Sequence, residues 1–220
     1  MVHFSVLGRP QASDDATVFV AESVPFVALA SSANTLVLTG RLAEARWERP
    51  PPDAPDHVDA AMAALRGALR AAGPRAAARL VRRDGGHALL VEPDELDLDR
   101  FILLYRQGRA ALDADDPDAA AYLLDQALAV WRGPINGGHR AYGWLGDRLA
   151  GIDRLRASAA EARLVARLML GQSSLAEAAH DQARSAYAAQ VGLVPDRVRQ
   201  LLRLALLPSP KRDGDESARW

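Results

Sequence analysis

The stretch that most constrains this chain is residues 101–134, FILLYRQGRAALDADDPDAAAYLLDQALAVWRGP, whose apolar spacing reads as two antiparallel helices closed by a short acidic turn. Phe101, Leu104, Tyr105 and Gly108 recur at helical spacing, and Asp115-Asp116-Pro117 stops that run and starts the next. Ala121, Leu124, Ala127, Leu128 and Trp131 continue the stripe, while Gly108, Ala111, Ala120 and Ala127 are the small residues expected where the two helices touch. A single pair of this kind leaves its apolar stripe uncovered, so it must stack on further elements.

The segment before it has a different texture. Residues 2–7 and 17–21 are two short β-like runs around a polar turn at 11–16, and together they predict a small N-terminal sheet. Residues 24–32 form a short helix that tolerates Pro25 in its first turn, and 36–38 a brief strand. Thr39 is the expected N-cap of a helix through Trp47. The prolines of 48–55 exclude helix interior and mark a connector. A strong helix follows over 56–72, its stripe made by Val58, Met62, Leu65 and Leu69, and Gly73-Pro74 ends it. Two β-like runs flank Asp84-Gly85-Gly86 within 79–92. Sheet, three helices and a hairpin in that order describe a winged helix.

The acidic bridge 93–99 marks the expected boundary, giving domains 1–92 and 93–207 with a flexible tail 208–220. The second domain continues with a loop at 134–138 and a long helix over 147–170. Another helix is expected over 174–190, a turn at 191–195, and a final helix from Asp196 to Leu207. The predicted fold is mostly α: a winged helix with a small sheet and a hairpin wing, then a tetratricopeptide-like helical domain.

Composition narrows function by exclusion. The chain has no cysteine, which removes disulfides and thiolate metal sites and fits a reducing compartment. The start MVHFSVLGRP lacks the features of a secretion signal, and no apolar run approaches the roughly 20 residues that span a bilayer. The expected location is the cytoplasm. Gly85-Gly86 lacks the context of a nucleotide loop, and no Ser or His stands in a nucleophile elbow or an HExxH motif. No cofactor, metal or catalytic residue is assigned. The acidic run Asp94, Glu95, Asp97 and Asp99 lies at a helix start, where the dipole favours carboxylates.

Order and motifs together resemble one family. HFSVLG at the start, the winged helix, GGHALLVEPDELDLDRF, FILLYRQGRAAL, WRGP and VGLVPDRVRQLL are similar to the actinobacterial (Streptomyces) antibiotic regulatory proteins. There a response-regulator-type winged helix precedes a bacterial transcriptional activator domain. The resemblance implies a pathway-specific transcriptional regulator of secondary metabolism that binds promoter DNA and contacts RNA polymerase. It implies a third helix in the major groove, here 58–70, and a wing in the minor groove, here 81–88. The candidate DNA contacts are Arg66, Arg70, Arg79, Arg82 and Arg83, with Arg75 in the same patch, set against Asp53, Asp56, Asp59 and Asp84 nearby.

Three departures bear on that expectation. Asp59, Ala61, Ala63 and Ala64 stand where family members carry polar, base-reading side chains. Ser31, Ser32 and Asn34 interrupt the stripe of the first helix. The helical domain is short by about one helical pair, which makes a symmetric homodimer the expected assembly. Residues 1–96 also carry ten arginines and no lysine against twelve Asp plus Glu, a balance of −2. The alternative reading is a family-derived module that has lost DNA recognition and binds protein or a small-molecule ligand. A third is a repurposed biosynthetic enzyme. For both, the loop 137–144, GGHRAYGW, supplies a candidate pocket of His139, Arg140, Tyr142 and Trp144, with His139 and Asp147 as a proton-transfer pair.

Overall fold

A computed structural model describes residues 1–171 of the 220. The helices expected over 174–190 and 196–207, the turn between them and the tail 208–220 lie outside the described residues.

The chain opens with an antiparallel sheet of β1 (His3–Ser5), β2 (Gln11–Ser13) and β3 (Thr17–Phe19), in that order. Phe4, Ala12 and Val18 lie in one cross-strand row. Strand β2 occupies the start of the expected polar turn 11–16. Gln11 and Ser13 are polar, and the inward-facing Ala12 between them is too short a signal for any period to register.

Next come α1 (Ser23–Ser31), β4 (Val37–Leu38), α2 (Thr39–Arg46), α3 (Ala54–Ala72), α4 (Pro74–Ala78), β5 (Leu80–Arg83) and β6 (Gly86–Leu89). The last two strands and β4 form a second antiparallel sheet in the order β4-β6-β5. This is a winged helix, with β5 and β6 as the wing. Helix α1 is buried almost all round, and its Ser31 satisfies its own hydroxyl by donating to Ala28 O at 3.2 Å. Thr39 is not an N-cap but the first residue of α2, and its hydroxyl donates to Gly85 O at 3.2 Å, tying α2 to the wing turn. Helix α4 went unread because its start is capped from far away. Asp14, between β2 and β3, accepts from the backbone of Arg75 and Ala76 at 3.0 and 3.2 Å.

The helical part consists of α5 (Asp97–Asp113), α6 (Pro117–Ala129) and α7 (Gly143–Met169), with a 3-10 turn, Ile135–Gly138, before α7. The acidic turn behaves as its residues dictate: Asp116 caps α6 by accepting from Ala119 N at 3.0 Å. Gly108 is required for the crossing, because a Cβ there would sit 2.6 Å from Leu124 Cγ. Phe101 lies edge-on to Trp131 at 5.3 Å and stacks near Tyr105 at 6.3 Å, and the Tyr105 hydroxyl meets Ser158 Oγ of α7 at 2.9 Å. Helix α7 starts at Gly143, ahead of the expected 147, so Trp144 belongs to its first turn.

One apolar cluster runs from Val2 through α1 and α3 into α5, α6 and α7 as far as Ala166. The acidic segment 93–99 is built into that continuity. Phe4 N donates to Glu95 O, and buried Glu95 holds Arg79 at 2.7 Å with one oxygen and Glu92 N at 2.9 Å with the other. The Asp97 carboxylate accepts from Val6 N at 2.9 and 3.0 Å and from Leu7 N at 3.0 Å. Burial raises the Asp97 pKa above its ordinary value, opposed by those two N–H groups and by Arg132.

Candidate functional site

Helix α3 owes its strength to a clean amphipathic stripe: Val58, Ala61, Met62, Leu65 and Leu69 are buried, and the rest faces out. Its outward face runs Asp56, Asp59, Ala60, Ala63, Ala64, Gly67 and Arg70, all exposed. Ala61 is buried, so it is no readout position despite its alignment with one. Small side chains leave this face flat, and the space beside Gly67 is open. Alanine and glycine present no donor to a base edge, which leaves charge and shape as the means of contact.

The arginines divide into two groups. Arg79 forks between Glu92 and Glu95, both at 2.7 Å, with its side chain only 19 % exposed. These carboxylates hold its pKa up. Its guanidinium is therefore committed to the joint beneath the wing. Arg75 is likewise taken by Asp14 at 2.7 Å. Arg82 is exposed and reaches Asp59 only at 3.8 Å, and Arg70 and Arg83 are exposed with no ion pair among the described residues. Arg66 is half-buried on α3. Arg66, Arg70, Arg82 and Arg83 are thus the arginines of α3 and the wing left outside the pairs with Asp14, Glu92 and Glu95.

His87 lies at the base of this set and was not singled out by the sequence. It pairs across the wing with Arg82, is buried, and its Nδ1 has no hydrogen-bond partner. Burial, then the charges of Arg82 and Arg66, hold its pKa below the ordinary value against the pull of Asp59. A histidine with a lowered folded pKa binds fewer protons folded than unfolded, so stability is lost as pH falls. The expected loss starts below about pH 6.5, the unfolded value. Its slope is at most about 1.4 kcal/mol per pH unit. Urea midpoints of wild type and His87→Leu measured across that range check this: the two pH profiles diverge on acidification, and coincident profiles contradict it.

The segment 132–144, which includes the loop 137–144, serves mainly as a joint. Arg132 N donates to Leu7 O at 2.8 Å, Asn136 N to Val6 O at 3.1 Å, Gly137 N to Gly8 O at 2.8 Å and Tyr142 N to Ala45 O at 2.9 Å. Trp144 Nε1 donates to Arg41 O at 2.8 Å. His139 and Arg140 are exposed, Arg140 lying 4.9 Å over the half-buried Tyr142 ring, and Asp147 is exposed too. Of the four residues expected to form one pocket, His139 and Arg140 are exposed to solvent. Trp144 lines a cavity against β4 and α2. Among the described residues no cluster of three or more His, Asp or Glu is placed to hold a metal.

Residues 96–206 match the bacterial transcriptional activator domain. The chain is 36 % identical over 114 residues to the transcriptional regulatory protein MoaR1 of Mycobacterium tuberculosis, covering 50 % of this chain and 36 % of that protein. It is 38 % identical over 109 residues to the transcriptional regulator RedD of Streptomyces coelicolor, covering 48 % of this chain and 31 % of that protein. The chain thus matches about a third of the length of these curated relatives. Its fold is similar to that of Mycobacterium tuberculosis EmbR, solved in complex with a low-affinity phosphopeptide, with a TM-score of 0.54 and 22 % identity over 93 % of this chain and 65 % of that one. A winged helix leading into a helical hairpin, and a domain match over half the length, place the chain in the family of antibiotic-regulatory-type proteins built on the bacterial transcriptional activator domain.

Proposed function

We propose that the chain is a transcriptional regulator that binds promoter duplex DNA through α3 and the β5–β6 wing and contacts RNA polymerase. The observation that carries this is the set Arg66, Arg70, Arg82 and Arg83 on the two elements a winged helix presents to DNA, with Arg70 and Arg83 exposed and without an ion pair among the described residues. Family membership supports a role in transcription, and the family resemblance extends it to pathway-specific control of secondary metabolism in the cytoplasm. No helix among the described residues is long and apolar enough to cross a membrane. With alanine and glycine facing outward, affinity rests on phosphate neutralisation, and sequence preference on the shape of the duplex.

The test is fluorescence anisotropy with duplex DNA from upstream of the protein's own gene, titrated with salt. Four phosphate contacts give a slope of log K against log salt of about −3.6, or roughly a hundredfold loss of affinity between about 50 and 200 mM. Arg70→Ala or Arg83→Ala weakens binding and flattens the slope by about one unit each. Arg79→Ala leaves the slope unchanged while lowering stability. Absence of salt-sensitive binding at low salt defeats the DNA reading. It would instead support a second one, a module that binds protein, which the net charge of −2 over residues 1–96 and the flat outward face of α3 favour.

A further inference from the structure

Between β4 and the first turns of α7 lies a cavity of about 330 Å³. Leu36, Val37 and Leu38 make one wall, Trp144 the other, Ser32 and Thr35 bring hydroxyls, and Arg41 and Arg148 stand at the rim. Among the described residues no carboxylate lines it. Leu36 and Leu38, two positions apart, are 40 % and 51 % exposed and give the site an apolar face. The indole is held at two points: its Nε1 donates to Arg41 O at 2.8 Å, and the Arg41 guanidinium lies 5.0 Å over the ring. Arg41 is already paired with Glu44 at 2.9 Å. Arg148 is exposed and has no ion pair among the described residues.

We propose that this cavity is a binding site for a small amphipathic carboxylate, an aromatic or short acyl acid. Its apolar body lies between Leu36, Leu38 and the Trp144 ring, and its carboxylate takes the fork of Arg148. The volume is at the lower end of the range of about 300–1,000 Å³ found for small-molecule sites, so it suits a ligand of one or two rings. An inorganic anion would leave the apolar wall uncovered, and a neutral hydrocarbon would leave the guanidinium unused. One wall is β4, whose Leu38 pairs with Gly86 of the wing, and the other is α7, so a bound ligand joins the winged helix to the third helix of the helical part. The site stands whether or not the chain binds DNA.

Isothermal titration calorimetry on the full chain tests it, with 1-naphthoate as probe and 1-naphthamide as its neutral counterpart. The expected result is saturable one-to-one binding of naphthoate and much weaker binding of the amide. Arg148→Ala should weaken naphthoate about 10- to 100-fold, as for loss of a hydrogen bond to a charged group, while leaving the amide unchanged. Leu38→Asp, at an exposed position, should abolish binding of both, with circular dichroism confirming an intact fold. Absence of saturable binding by naphthoate and by decanoate up to millimolar concentration overturns the proposal. So does binding that is indifferent to Arg148→Ala and Leu38→Asp.

Discussion

Phe101→Ala lowers the free energy of unfolding by about 3–5 kcal/mol, the cost of removing a large aromatic side chain from a packed core. Phe101 is fully buried, edge-on to Trp131 and stacked near Tyr105, so its ring joins α5 to the end of α6 and, through the Tyr105–Ser158 bond, to α7. It also belongs to the same apolar cluster as Phe4 and Phe26 of the winged helix, so the cavity would weaken the contact between the two halves as well as the hairpin. For a chain of this size the thermal midpoint drops by about 2–4 °C for each kcal/mol, a shift large enough to read by circular dichroism. Leu103 on the same helix is 51 % exposed and is the control: Leu103→Ala should stay within about 0.5 kcal/mol. If the two variants have similar urea midpoints, the hairpin is not anchored by Phe101.

Asp97→Ala should cost about 2–6 kcal/mol, because it leaves two backbone donors without their acceptor at about 1–3 kcal/mol each. Those donors, Val6 N and Leu7 N, lie 91 and 90 residues away in sequence, and the side chain that receives them is only 11 % exposed. Arg132, reaching the same carboxylate at 3.4 Å from a side chain 36 % exposed, adds little to that sum. The damage is expected to be directional. Amide exchange of Val6 and Leu7 should accelerate more than that of α6, since the lost bonds hold the N-terminal sheet against α5. Uniform acceleration, or none, would show that Asp97 does not act as this fastener.

How much of the protein was legible follows from how far apart the deciding residues stand in the chain. The stripes of α3, α5, α6 and α7 repeat within a single turn of helix, and Asp116 caps α6 from the adjacent position, so both could be read locally. The wing was legible because glycine marks its turn, with Gly85 at a φ of +74°. Strand β2 escaped because it turns only Ala12 inward, and α4 because its cap, Asp14, comes from another element.

The arginines show the same limit at the candidate site. Composition and order gave one patch of cations, but Arg75 and Arg79 are drawn off by Asp14, Glu92 and Glu95, leaving Arg66, Arg70, Arg82 and Arg83. The loop 137–144 looked like a pocket because aromatic and titratable side chains crowd together in it. Its backbone instead donates to Gly8 and Ala45, and Trp144 lines a cavity against β4 and α2.

By itself, then, the amino-acid sequence determined the winged helix, the helical hairpin and the family, since those depend on periodic burial and on turns whose residues are neighbours. Only the tertiary structure decided which charges are free, which carboxylates fasten the N-terminal sheet to α5 and where a ligand-sized cavity opens. A charge is neutralised or left exposed by whatever the fold brings within a few ångströms of it, and at separations such as the 91 residues between Val6 and Asp97 no local pattern carries that information.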